Sequence, residues 1–335
     1  MVLVTDVTVT ERYREEAERL VAQVERMAAA NRELLAANDA LTGAAICHHD
    51  LDPARASADE HAGILQQEYR SRHRQKRRRD GHGEGSGMSA GRTDRPWPTP
   101  SRPGVMAMQW HDLLFMHWPL PVSVLRPLIP PGLTLDTFDG CAWIGVVPFT
   151  MAGVHARYVP PLPGTSTFPE LNVRTYVTTE GKAGVYFFSL DAANPLAVRA
   201  ARLGFRLPYY DADMSASRSD LTVAYASTRT HHGAPPAAFA ARYRPTGPVS
   251  RSTDGSIDAW LTERYCLYSA AGKQAVWRAD IDHTRWPLQP AEAEIACNTM
   301  VDPLRLVLPD TPPLLHFARQ LDVMAWRPRV VDAVV

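Results

Sequence analysis

All eight tryptophans and all nine phenylalanines of this 335-residue chain lie beyond residue 88. Bulky apolar side chains are the material of a core, each contributing roughly 1.5–3 kcal/mol when fully buried. A chain divided in this way keeps its folded body after residue 88, and its first 87 residues lack the means to build a core. Proline divides likewise, with only Pro53 of 28 prolines before that point.

The N-terminal part reads as a helical extension. Residues 11–42 hold no Pro or Gly and are rich in strong helix formers. Tyr13, Leu20, Met27, Leu34 and Leu41 recur every seven residues, with Ala17, Val24, Asn31 and Asn38 four places after the first four. That seam suits a parallel coiled coil whose buried Asn residues fix register, and it equally suits a lone amphipathic helix. The run 70–79 carries seven basic side chains in ten. A nucleic-acid patch and a solvated linker are the two readings of it, and the linker is preferred because the first 87 residues are slightly acidic, 15 acidic against 13 basic. Residues 88–105 are Gly, Ser and Pro rich and read as a flexible connection. The body spans 106–327, followed by a tail, 328–335.

Composition excludes several function classes. Net charge is zero, with 45% hydrophobic and 21% charged residues, so neither a polybasic nucleic-acid binder nor a disordered acidic chain is expected. No apolar run is long enough to predict a membrane helix, and the N-terminus has no signal-peptide pattern. Cys47, Cys141, Cys266 and Cys297 lie far apart without a C-x-x-C pair. The chain is therefore expected to be cytoplasmic, with no cofactor and no metal, since no H-x-x-x-H or H-E-x-x-H occurs. No P-loop is present either, no G-x-G-x-x-G follows a strand, and the body holds no G-x-S-x-G elbow.

Within the body, 142–151, 170–179, 183–192, 221–229 and 273–282 read as strands, being rich in β-branched and aromatic residues and bounded by turn formers. TTEGKAG and SAAGKQA read as hairpins. Helices are predicted over 121–129, 194–204, where Asn194-Pro195 is a good cap, and about 256–263. The pattern is α+β, a few short helices on an antiparallel sheet curled into a barrel.

The segments QWHDLLFMHWPLPVSVLRPLIPPGLTLDTFDGCAWIGVVPFTM, FPELNVRTYV, GVYFFSLDA, ERYCLY, WPLQPAEAEI and PPLLHFARQLDV resemble the DUF2071 (YqjF-like) family over about 106–327. That family is similar to the acetoacetate decarboxylase superfamily. Ile129-Pro130-Pro131-Gly132-Leu133 matches its Pro-Pro-Gly-Leu element, and Glu170 matches its acidic strand position. The resemblance implies a cone-shaped β-barrel around a small polar pocket, often in an oligomer. The superfamily's post-proline lysine pair is here Tyr209 and Tyr210, and a phenol forms no imine. The only lysines of the body, Lys182 and Lys273, sit in Gly-flanked turns, so Schiff-base chemistry is not expected.

Glu170 is thus a candidate general base or ligand anchor, and Tyr209 or Tyr210 a candidate proton donor, only one of them facing inward. Each of these has a plain structural reading beside it. Arg126, Arg174, Arg264 and Tyr265 are the candidate ligand-binding residues, the arginines because a guanidinium grips a carboxylate in bidentate fashion. Cys266 reads as a buried thiol. Three functions stay open: a pocket binding a small organic acid or ketone, an imine-free enzyme on a small oxo-acid, and an interaction protein acting through its N-terminal coil.

Overall fold

The computed structural model describes residues 95–157, 166–271 and 275–331. The heptad seam, the basic run, Cys47 and Lys273 lie outside the described residues. Among the described residues the strands are β1 (Met106–Leu120), β2 (Thr134–Leu135), β3 (Ala142–Ala156), β4 (Phe168–Thr179), β5 (Lys182–Ala192), β6 (Tyr209–Ser219), β7 (Thr222–Arg229), β8 (Ala238–Pro245), β9 (Cys266–Ala271), β10 (Ala275–Asp282), β11 (Leu288–Asn298), β12 (Leu314–Ala325) and β13 (Arg329–Val331). They form one sheet in the order β13-β10-β9-β5-β6-β7-β8-β11-β12-β1-β3-β4-β2. The helices are short: α1 (Val122–Leu125), α2 (Pro195–Gly204) and α3 (Ile257–Thr262).

Two extra pairings, β4 with β5 and β10 with β12, return the ladder upon itself. One circuit runs from β5 through β6 and the following strands to β12, β1, β3 and β4. A shorter one leaves β5 through β9 and β10. Strand β5 is the fork: it pairs parallel with β6 at Leu190–Ala192 and parallel with β9 at Val185–Tyr186. The largely antiparallel sheet therefore carries, among the described residues, two parallel seams, both at β5.

The hairpin read in TTEGKAG is present. Thr179 pairs with Lys182, and Glu180 and Gly181 take φ values of 51° and 70°. Two successive left-handed residues make the turn whose twist suits flanking strands. At α2, the Asn194 side chain accepts from the backbone N–H of Leu196 and Ala197 at 3.0 and 3.1 Å. The nine-residue helix read at 121–129 is shorter, because Pro127 ends α1 and a single 3₁₀ turn follows, Arg126–Leu128.

Several core strands are buried on both faces. Along β1, Leu114 and Met116 pack into one hydrophobic cluster while Leu113 and Phe115 pack into another. The period-2 alternation of a strand sends neighbours to opposite faces, so this sheet separates two cores. The second core is incompletely filled.

Candidate functional site

The unfilled part of that core is a cavity with about 80 Å³ of free space, room for a few waters at ~10–15 Å³ each. Its walls are chiefly apolar, including Met108, Trp110, Phe149, Phe187 and Trp286. The pocket is thus less polar than the family resemblance implied. A larger groove of about 470 Å³ lies over the Ser215, Ser217, Ala226 and Ala240 side of the sheet, but it is open and lined mostly by small residues.

One row of polar side chains crosses the cavity wall. Glu170, Asn172 and Arg174 alternate along β4 and face the same way. Opposite them on β5 stand Ala192, Leu190 and Phe187, with the register shifting between Val173 and Arg174. Gly145 on β3 pairs with Arg174, and a Cβ at Gly145 would come within 2.9 Å of the His117 ring. The lack of a side chain there lets His117 and Arg174 lie against the β3 backbone.

At one end of the row, the Tyr209 hydroxyl donates to Glu170 Oε2 at 2.9 Å. Burial lifts the Glu170 carboxyl to about 8, the Tyr209 hydrogen bond opposing and the Asp191 charge assisting. Burial also lifts the Tyr209 phenol well above the ordinary tyrosine value. At neutral pH the pair is therefore an uncharged acid beside an uncharged phenol.

The other end is cationic. Arg174 is 8% exposed, and its Nε and Nη2 have no hydrogen-bond partner. Its guanidinium stands 5.1 Å from the Phe115 ring, and among the described residues no carboxylate makes an ion pair with it. Arg264 donates to Asp136 Oδ2 at 2.7 Å and to the Trp260 carbonyl at 2.5 Å, leaving Nη2 unpartnered. Burial pulls the Arg264 guanidinium down and Asp136 opposes it. The Nε1 groups of Trp110 and Trp286 are unpartnered donors as well, whereas Asn172 Oδ1 is an unpartnered acceptor. Buried polar groups are rarely left unpaired, so a wall with this surplus of donors suits a ligand rich in acceptors.

The remaining candidates are placed elsewhere. Arg126, expected near a barrel mouth, instead donates to the carbonyls of Leu133, Ile129 and Pro130 and ties down its own loop. Tyr210 lies under the Arg229 guanidinium at 4.2 Å, on the opposite side of β6 from Tyr209. Tyr265 is buried, stacks on His283 at 4.5 Å and donates to Glu263 Oε2, outside the cavity lining. Burial pushes the Cys266 thiol to about 12, and Lys182 Nζ lies 5.5 Å from the Trp97 ring. Among the described residues no cluster of three metal-ligating side chains occurs, and no helix is long and apolar enough to cross a membrane.

Sequence reasoning passed over Asn172, although E-x-N-x-R alternation placed it between two candidates. It also missed Asp136, for which no local signal exists.

These features define a sheet protein with one polar row inside an apolar cavity. The chain belongs to the DUF2071 family, described as an uncharacterized conserved protein, whose model matches residues 107–322. It is 48% identical over 222 residues to "Uncharacterized protein YqjF" of Bacillus subtilis (strain 168), covering 66% of this chain and 90% of that one. Among solved structures it is similar to an acetoacetate decarboxylase-like enzyme from Sphingomonas wittichii RW1, at 14% identity and a TM-score of 0.47, covering 73% of this chain and 100% of that one. It is also similar to the enduracididine biosynthesis enzyme MppR complexed with pyruvate, at 12% identity and a TM-score of 0.48, covering 70% and 93%.

Proposed function

We propose that the cavity binds a small organic acid that also carries a carbonyl group. The carboxylate sits on Arg174, and the carbonyl accepts from the neutral Glu170–Tyr209 end. The observation that carries this reading is the pair of unpartnered guanidinium nitrogens on a nearly buried Arg174. A buried cation without a counter-charge is costly, and a bound carboxylate relieves that cost through charge-assisted hydrogen bonds. The two strand circuits support reading the sheet as a barrel around this cavity. The free cysteines Cys141 and Cys266 suit a reducing, cytoplasmic setting. Self-association through the heptad seam belongs to the same reading as a separate proposal.

One observation favours a second, catalytic reading. The Glu170–Tyr209 pair, 2.9 Å apart in the cavity with the carboxyl lifted by burial to about 8, holds both partners of a proton transfer. The same site thus suits imine-free enolisation of an oxo-acid, the ionised form of Glu170 taking the α-proton and the Tyr209 hydroxyl donating to the enolate oxygen. Calorimetry of the full chain with three- to five-carbon oxo-acids, set beside neutral ketones of matched size, tests the binding reading. Oxo-acids should bind and ketones should not. Equal binding of both would remove Arg174 from its role. Exchange of α-protons with deuterated water, followed by NMR, separates turnover from binding.

A further inference from the structure

The charge inventory of the cavity carries the reading further. Its charged lining, His283 apart, is Glu170, Arg174 and Arg264. Glu170 is held protonated by burial. Arg264 is neutralised from outside the lining by Asp136, the two joined at 2.7 Å. Its guanidinium also lies against both the Trp260 ring at 4.4 Å and the Tyr176 ring at 4.9 Å. Arg174 alone has no acidic partner among the described residues. The interior therefore has one positive charge in excess, although it presents two guanidinium groups.

We propose that the cavity selects monoanions over dianions, and that Asp136 sets this selectivity by occupying the charge of Arg264. This rests on the binding reading above and adds the class of ligand to it. A monocarboxylate brings the buried charge to balance. A dicarboxylate or phosphate dianion buries a second negative charge with no free cation to meet it, and its affinity falls accordingly. Asp136 touches no ligand in this scheme and is a positioning residue. It is 128 residues from Arg264 in the chain, and it also holds the Thr137 backbone N–H through Oδ1 at 3.1 Å. Asn at position 136 keeps the acceptor for Thr137 and replaces the charged Oδ2 that receives Arg264 with an uncharged amide nitrogen.

The test uses the full chain and two stable probes that differ by a terminal methyl against a carboxylate, 2-oxopentanoate and 2-oxoglutarate. Calorimetry should give the wild-type protein at least about tenfold preference for the monoanion. Asp136→Asn should move that ratio toward the dianion by about tenfold or more, and Asp136→Glu should restore it. A size effect or a merely structural role for Asp136 would leave the ratio unmoved. Two results overturn the proposal: no discrimination by the wild-type protein, which needs no variant to fold, or an unchanged ratio in a normally melting Asp136→Asn. If neither probe nor any shorter oxo-acid binds, the binding reading itself falls, and that outcome is distinct from binding without discrimination.

Discussion

Tyr209 donates to Glu170 across 2.9 Å at the cavity while its neighbour Tyr210 packs on the other side of β6 against the buried Arg229. The two adjacent phenols therefore differ in everything but sequence. Tyr209→Phe should cost about 1 kcal/mol, the worth of one ordinary hydrogen bond, and should weaken oxo-acid binding. Tyr210→Phe keeps the ring over Arg229 and should stay within about 0.5 kcal/mol. Paired denaturant titrations and calorimetry check both. Equal effects from the two variants would contradict the inward assignment of Tyr209.

Glu170 makes stability depend on pH in a defined direction. Its folded value of about 8 lies above the ordinary glutamic acid value. The folded state thus holds a proton that the unfolded chain has lost, and stability falls as pH rises between those two values. The contribution is complete below the ordinary value and gone above about 8. Glu170→Gln keeps an acceptor for Tyr209 and cannot ionise, so its stability profile from pH 5 to 8 should be flatter than the wild type's. Parallel slopes in the two proteins would show that Glu170 does not carry that buried proton.

Removing the unpaired cation should stabilise the fold and abolish its binding. Arg174→Met fills the same space without charge, and we expect a gain of about 1–4 kcal/mol, the range seen when apolar residues replace buried ionic groups. Calorimetry of the same variant should show no oxo-acid binding. A loss of stability would mean that Arg174 is compensated in the free protein.

Treatment of the full chain with acetoacetate and borohydride should leave its intact mass unchanged. Among the described residues no lysine lines the cavity, and Lys182 stands by Trp97. A stoichiometric adduct on Lys182 is the result that would reinstate imine chemistry.

The fold was largely legible in sequence where strands are apolar and β-branched, as in AWIGVV and VYFFSL. Strand β6, YYDADMSASRS, escaped that reading because its exposed end is polar and its pairing with β5 is parallel. Glu170 was singled out by the family resemblance, and period-2 spacing put Arg174 on the same face of β4. Arg126 was read at a barrel mouth from its place beside Pro-Pro-Gly, where a guanidinium serves backbone carbonyls as readily as a ligand. Asp136 was invisible because its partner comes from the distant end of α3.

The fork at β5 divides the site between two branches. Tyr209 meets Glu170 where β6 joins β5, whereas Arg264 stands just before the strand, β9, that joins β5 nearer Arg174. On the proposed reading, a bound acid that touches both ends would act as a clasp across that fork. Branches of a sheet open locally with their own free energies. The clasp would make the two openings one event, because either of them would release the ligand, and hydrogen-exchange protection of both seams should rise together with ligand concentration.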